Sequence, residues 1–113
     1  MKSQRLYYTI QELVVAKGKR FITLTALIFA QHFEAFSKVK AMQLLQEREG
    51  ELTVKIVKSI AYSNIDEREI LAKMQGAVGT GMDIDFEYVD HISRAQSGKY
   101  RFLIQKLPIG FGD

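Results

Sequence analysis

Residues 52–89, LTVKIVKSIAYSNIDEREILAKMQGAVGTGMDIDFEYV, pass through three periodicities in succession, and their order decides the fold. In LTVKIVK, Leu52, Val54 and Ile56 share one face of a strand, while Thr53, Lys55 and Val57 share the other. From Ser63 the period lengthens to that of a helix, with Ile70, Leu71, Met74, Ala77 and Val78 as its buried stripe. Ser63 or Asn64 supplies the N-cap, Asp66 or Glu67 the acid of a capping box, and Gly79 or Gly81 the stop. MDIDFEYV then returns to alternation, setting Ile84, Phe86 and Tyr88 toward a core against Asp83, Asp85 and Glu87 on a wet face.

Working outward, VKAMQLLQE (39–47) precedes this segment across REGE, so a turn at Gly50 makes the two strands an antiparallel hairpin. Further upstream, QELVV and RFITL flank AKGK, and Gly18 provides the reversal, which predicts a small hairpin over residues 11–24. LTALIFAQHFEAF brings Leu24, Leu27, Ile28, Phe33 and Phe36 at helical spacing behind a Thr23 or Thr25 cap. Downstream, YRFLIQ alternates Tyr100, Phe102 and Ile104 as a last strand. The expected fold class is α+β, a small mixed β-sheet with packed helices preceded by a β-hairpin, in a single small domain over 1–113.

The bulk properties agree with that reading. Of 113 residues 47% are apolar and 26% charged, with a single Pro, which is a foldable globular composition. The absence of cysteine excludes disulfides, thiolate metal sites and cysteine nucleophiles. FITLTALIFA (21–30) is half the length of a membrane helix, and the N-terminus lacks a signal-peptide pattern, so a cytoplasmic protein without membrane contact is expected. The net charge of +3 comes from basic residues scattered from Lys2 to Lys106, which argues against a nucleic-acid face.

Most chemical signals reduce to structure. The glycines of GAVGTG (76–81) close a helix rather than open one, so they are no nucleotide fingerprint. SRAQSGKY (93–100) lacks the first Gly of a phosphate loop and has Tyr100 where that loop needs Ser or Thr. His32 and His91 share no ligand spacing, and Asp83, Asp85, Glu87 and Asp90 read as a solvated strand face, so no metal site is expected. Lys99 stands apart. The Ser97-Gly98 turn holds a mobile ammonium on the connection between the last two strands, where it can meet a carboxylate or phosphate.

Three stretches together carry a resemblance: QELVVAKGKRFITLTALIF, QLLQEREGELTVKIV and DIDFEYVDHISRAQSGKYRFLI. In that order they resemble the C-terminal domain of adenylate-forming enzymes, in the phenylacetate-coenzyme A ligase-like and capsule-biosynthesis (CapK-like) branch. The most specific part is Ile92, Arg94, Ser97, Gly98, Lys99, Arg101 and Phe102. The resemblance implies an enzyme that activates a carboxylic acid with ATP and Mg, then passes the acyl group to a thiol, often coenzyme A. Lys99 matches the loop lysine that bridges the carboxylate and the ATP α-phosphate, with Ser97 and Gly98 positioning it. Glu12 matches the hinge about which this small domain rotates between the half-reactions. YYTIQEL lacks the Gly-Arg that usually precedes the hinge, and Ser93 and Ala95 replace the common Pro and Thr.

The resemblance also implies a large N-terminal adenylation domain as partner, since the chain has no Ser/Thr/Gly-rich phosphate loop and no adenine or acyl pocket. The isolated chain is therefore expected to be inactive. The alternative is a stand-alone protein-interaction module or homodimer without catalysis, pairing through an exposed sheet edge or hairpin.

Overall fold

The structure is a computed structural model, and it describes residues 13–29, 37–93 and 102–107. Its elements are the antiparallel hairpin β1 (Leu13–Ala16) and β2 (Arg20–Thr23), the strands β3 (Val39–Gln46) and β4 (Glu51–Lys58), the helix α1 (Asn64–Val78), and the strands β5 (Asp83–Tyr88) and β6 (Leu103–Gln105). A four-stranded sheet runs β5-β4-β3-β6. Its central pair β3/β4 is antiparallel, and each outer strand lies parallel to its neighbour, so the sheet is mixed as the sequence predicts. The α+β class stands.

Register explains the core. Met42 lies opposite Ile56 and Leu44 opposite Val54, while Val54 pairs with Phe86 and Leu44 with Leu103. These residues share the face covered by α1, whose Ile70, Met74 and Val78 are fully buried at four-residue spacing. Leu71 and Ala77 are half-buried on the flanks of that stripe. The opposite face of β4, Thr53, Lys55 and Val57, is half-exposed, as its alternation requires.

The ends of α1 follow the sequence closely. Ser63 is the N-cap, its hydroxyl accepting from the Ile65 N–H, and its own N–H donates to Asp66 Oδ2 at 2.8 Å to complete the capping box. Gly79 closes the helix at φ 73, and its N–H donates to the Gln75 carbonyl. Ahead of the sheet, residues Thr25–Phe29 form a π-helical turn that buries Leu27 and Ile28 and packs against α1. Thr23 Oγ1 caps this turn by accepting from the Ala26 N–H at 3.1 Å. The remainder of the expected helix, residues 30–36, lies outside the described residues.

Two strand expectations are corrected. β6 covers only Leu103–Gln105, and Leu103 rather than Ile104 enters the core, because its parallel register sets it beside Leu44 on the helical face. Tyr88 lies on the core side of β5 but at its rim, partly exposed.

Burial alone would raise the Asp66 carboxyl, but the Ser63 N–H and the Lys38 ammonium, 3.4 Å away, outweigh it and hold the group below the usual carboxylate range. A depressed folded value means stability present above the ordinary aspartate pKa of about 3.9 and lost as pH falls through the lower folded value. Asp66→Asn is therefore expected to be less stable than the parent chain at neutral pH, with the gap narrowing steadily below pH 4 in urea titrations. Ser63→Ala should cost about 1 kcal/mol through the lost cap.

Candidate functional site

Lys99, Ser97, Gly98 and the hinge candidate Glu12 all lie outside the described residues. What the structure describes is the frame that carries them: the exit of β5, the entry to β6, and β1 immediately after Glu12. β5 and β6 are the two edges of the sheet, so the segment holding Lys99 joins opposite edges.

At the exit of β5 the Val89 N–H donates to the Ile56 carbonyl at 3.0 Å, which keeps the chain on the sheet one residue past the strand. Beside it Tyr88 donates its phenol proton to Glu67, and its hydroxyl lies 2.9 Å from that of Tyr62. The two rings meet edge to face with centroids 5.6 Å apart, and the Lys58 ammonium sits 4.6 Å over the Tyr88 ring. Burial, the bond to Glu67 and the contact with Tyr62 push the Tyr88 phenol well above its ordinary range, and burial also raises Tyr62. Both phenols stay protonated at neutral pH, so this cluster acts as a hydrogen-bonded brace from α1 to β5.

At the entry to β6 the Leu44 N–H donates to the Phe102 carbonyl at 2.7 Å, and the Lys106 N–H donates to the Gln46 carbonyl at 2.9 Å. The strand after the Lys99 segment is thus pinned at both ends to β3.

Two residues that the sequence reading passed over organise the hairpin end. Gln46 is fully buried, and its amide accepts from the Val15 N–H and donates to the Val15 carbonyl, both at 2.8 Å. The same amide donates toward the carbonyls of Arg48 and Glu51, at 3.0 and 3.1 Å. Gln105 donates to the Leu13 carbonyl at 2.9 Å and to Gln46 Oε1 at 2.7 Å. The signal was available: Gln46 follows Met42 and Leu44 on the apolar face of β3, and Gln105 follows Leu103 on that of β6. A polar residue on an inward position needs a buried partner.

Asp83, Asp85 and Glu87 are exposed along β5, and Asp83 meets Lys17 at 3.5 Å. Among the described residues no group of three or more His, Asp or Glu is arranged to hold a metal ion, and no helix is long and apolar enough to cross a membrane. A groove of about 350 Å³ opens beside the β3–β4 turn, lined by Leu45, Glu47, Arg48, Glu51 and Thr53. Its charged lining sets the two carboxylates beside one guanidinium.

No curated protein and no solved structure matches the chain. Residues 14–106 match the family described as the CapK C-terminal domain, a span that takes in the hairpin, the sheet, α1 and the whole Ile92–Phe102 segment.

Proposed function

Because the chain belongs to the CapK C-terminal domain family, we propose that it is the lid-type domain of an ATP-dependent acyl-activating enzyme of the phenylacetate-coenzyme A ligase type. The family describes a C-terminal domain, a unit of a larger protein, and in this proposal residues 1–113 form one small domain beside a large N-terminal adenylation domain. The observation that carries the reading is the family match across the Lys99 segment.

In the first half-reaction a carboxylate oxygen attacks the α-phosphorus of ATP, the bond to the β-phosphate oxygen breaks, and pyrophosphate leaves. Lys99 bridges the incoming carboxylate and the α-phosphate, offsetting the charge that crowds there. Ser97 and Gly98 give its loop a compact turn. In the second half-reaction a thiol, coenzyme A in this reading, attacks the acyl carbon and AMP leaves. The small domain turns about Glu12 between the two steps, which takes Lys99 away from the acyl-adenylate. ATP and coenzyme A as substrates place the reaction in the cytoplasm.

The decisive experiment is Lys99→Ala in the complete protein, followed in two assays: carboxylate-dependent exchange of pyrophosphate into ATP, and thioester formation from a supplied acyl-adenylate. Loss confined to the first supports the role given to Lys99, whereas equal loss in both overturns it. For the alternative of a self-pairing module, the β5 edge is a poor seam. Joining two β5 edges with α1 on the same side of both would set Asp85 of each copy against the other's acidic row, a like-charge contact of the kind that keeps edge strands apart.

A further inference from the structure

β1 and β2 form their own two-stranded sheet, and β1 is not hydrogen-bonded as a strand to the four-stranded sheet. Side chains and turn amides make the junction instead. Gln46 presents its carboxamide to Val15 as a neighbouring strand would present a peptide group, one N–H given and one accepted. Gln105 extends this seam to Leu13 and closes on Gln46 Oε1, so both lone pairs of that oxygen are used. Around it, the Gly50 N–H donates to the Val15 carbonyl and the Lys17 N–H to the Gly81 carbonyl, both at 2.8 Å. Arg20 reaches the Val78 carbonyl at the end of α1 at 2.6 Å. Among the described residues no buried side-chain polar atom lacks a partner.

An apolar residue at position 46 would continue the Met42, Leu44 face at no desolvation cost, whereas a buried carboxamide is tolerated only where every bond is made. We propose that Gln46 and Gln105 are positioning residues that weld the hairpin, the β3–β4 turn and β6 into one rigid body. The hairpin and β6, the strand after Lys99, then move together.

Native-state hydrogen exchange on this chain tests the weld. The readout is the amides of Val14 and Ile22, which pair with each other across the hairpin and make no direct bond to Gln46, against those of Val54 and Ile56 in the sheet. In the parent chain the two sets should show protection within about tenfold of each other, as one cooperative unit. Gln46→Met, which keeps the volume and removes the amide, should lower protection at Val14 and Ile22 by about 100-fold, with Val54 and Ile56 little changed. Gln46→Glu should behave like Gln46→Met while ionised and recover hairpin protection as pH falls, because a neutral carboxyl again both donates and accepts. A packing role alone would give no such pH dependence.

If Gln46→Met fails to fold, Gln105→Leu is expected to lower the same hairpin amides by about tenfold through the lost bonds to Leu13 and Gln46. The weld is overturned if the hairpin is already far less protected than the sheet in the parent chain, if substitution loosens both sets equally, or if Gln46→Glu shows no recovery in acid. Failure of Lys99→Ala to separate the half-reactions would remove the acyl-activating reading and leave the exchange result standing.

Discussion

In the proposed reaction, Lys99→Ala in the complete protein is expected to lower carboxylate-dependent adenylate formation by about 10²- to 10³-fold, the loss typical of removing one donor aimed at developing charge. Thioester formation from a supplied adenylate should fall by no more than about threefold, since an interaction made in only one transition state leaves the other barrier alone. The size follows from electrostatics. In the proposed first half-reaction two anions, a carboxylate and a triphosphate, approach within bonding distance, and a single ammonium between them is worth most where water is excluded. Lys99→Arg should recover only part of the rate, because a planar guanidinium on a longer stem does not present the compact charge that bridges two oxygens at one point. Pyrophosphate exchange and single-turnover thioester assays on the same preparations separate these outcomes.

Ile56→Ala carries the largest expected change in stability. Ile56 is fully buried in the central strand β4, between Met42 on β3 and Tyr88 on β5, facing α1. Removing three carbons there costs transfer free energy plus the cavity left behind, about 3 kcal/mol within a range of 2–5. For a domain of this size that is a fall of roughly 10–15 °C in melting temperature and a matching drop in the urea midpoint. Val57→Ala, one residue on and on the half-exposed face, should cost about 1 kcal/mol or less. Comparable losses from the two substitutions would mean that the sheet face opposite α1 is also packed against a core.

How much of this was legible in the sequence depended on whether a feature was periodic or relational. β4 and α1 were readable because Leu52, Val54 and Ile56 keep a period of two, Ile70, Met74 and Val78 keep a period near four, and Ser63 with Asp66 marks the boundary. The short β6 was misassigned in phase, since three residues carry too little alternation to choose a face, and the parallel register beside Leu44 made the choice. The π-helical turn at Thr25–Phe29 has the apolar spacing of an α-helix, and nothing in its composition distinguishes the wider turn. Gln46 was missed because its partners are backbone groups of Val15, 31 positions away, and sequence pattern reports residue types but not which peptide a side chain will meet. Lys99 is singled out chiefly by resemblance, since Ser, Gly and Lys are common neighbours in ordinary turns, and it lies outside the described residues.

The seam at Gln46 also bears on the order of assembly. β3 and β4 are joined by a tight turn and are able to pair early, but Gln105 bonds to the Leu13 carbonyl across 92 positions, and β6 pairs with β3 across 59. Closing such separations costs chain entropy before any contact repays it, which slows the final steps relative to hairpin formation. On a ribosome, the hairpin and the Gln46 carboxamide would emerge long before Gln105 and wait with part of their hydrogen bonding supplied by water. The stretch bearing Lys99 is made just before β6, so the residue proposed to do the chemistry and the strand that completes the seam arrive together, last among the elements described.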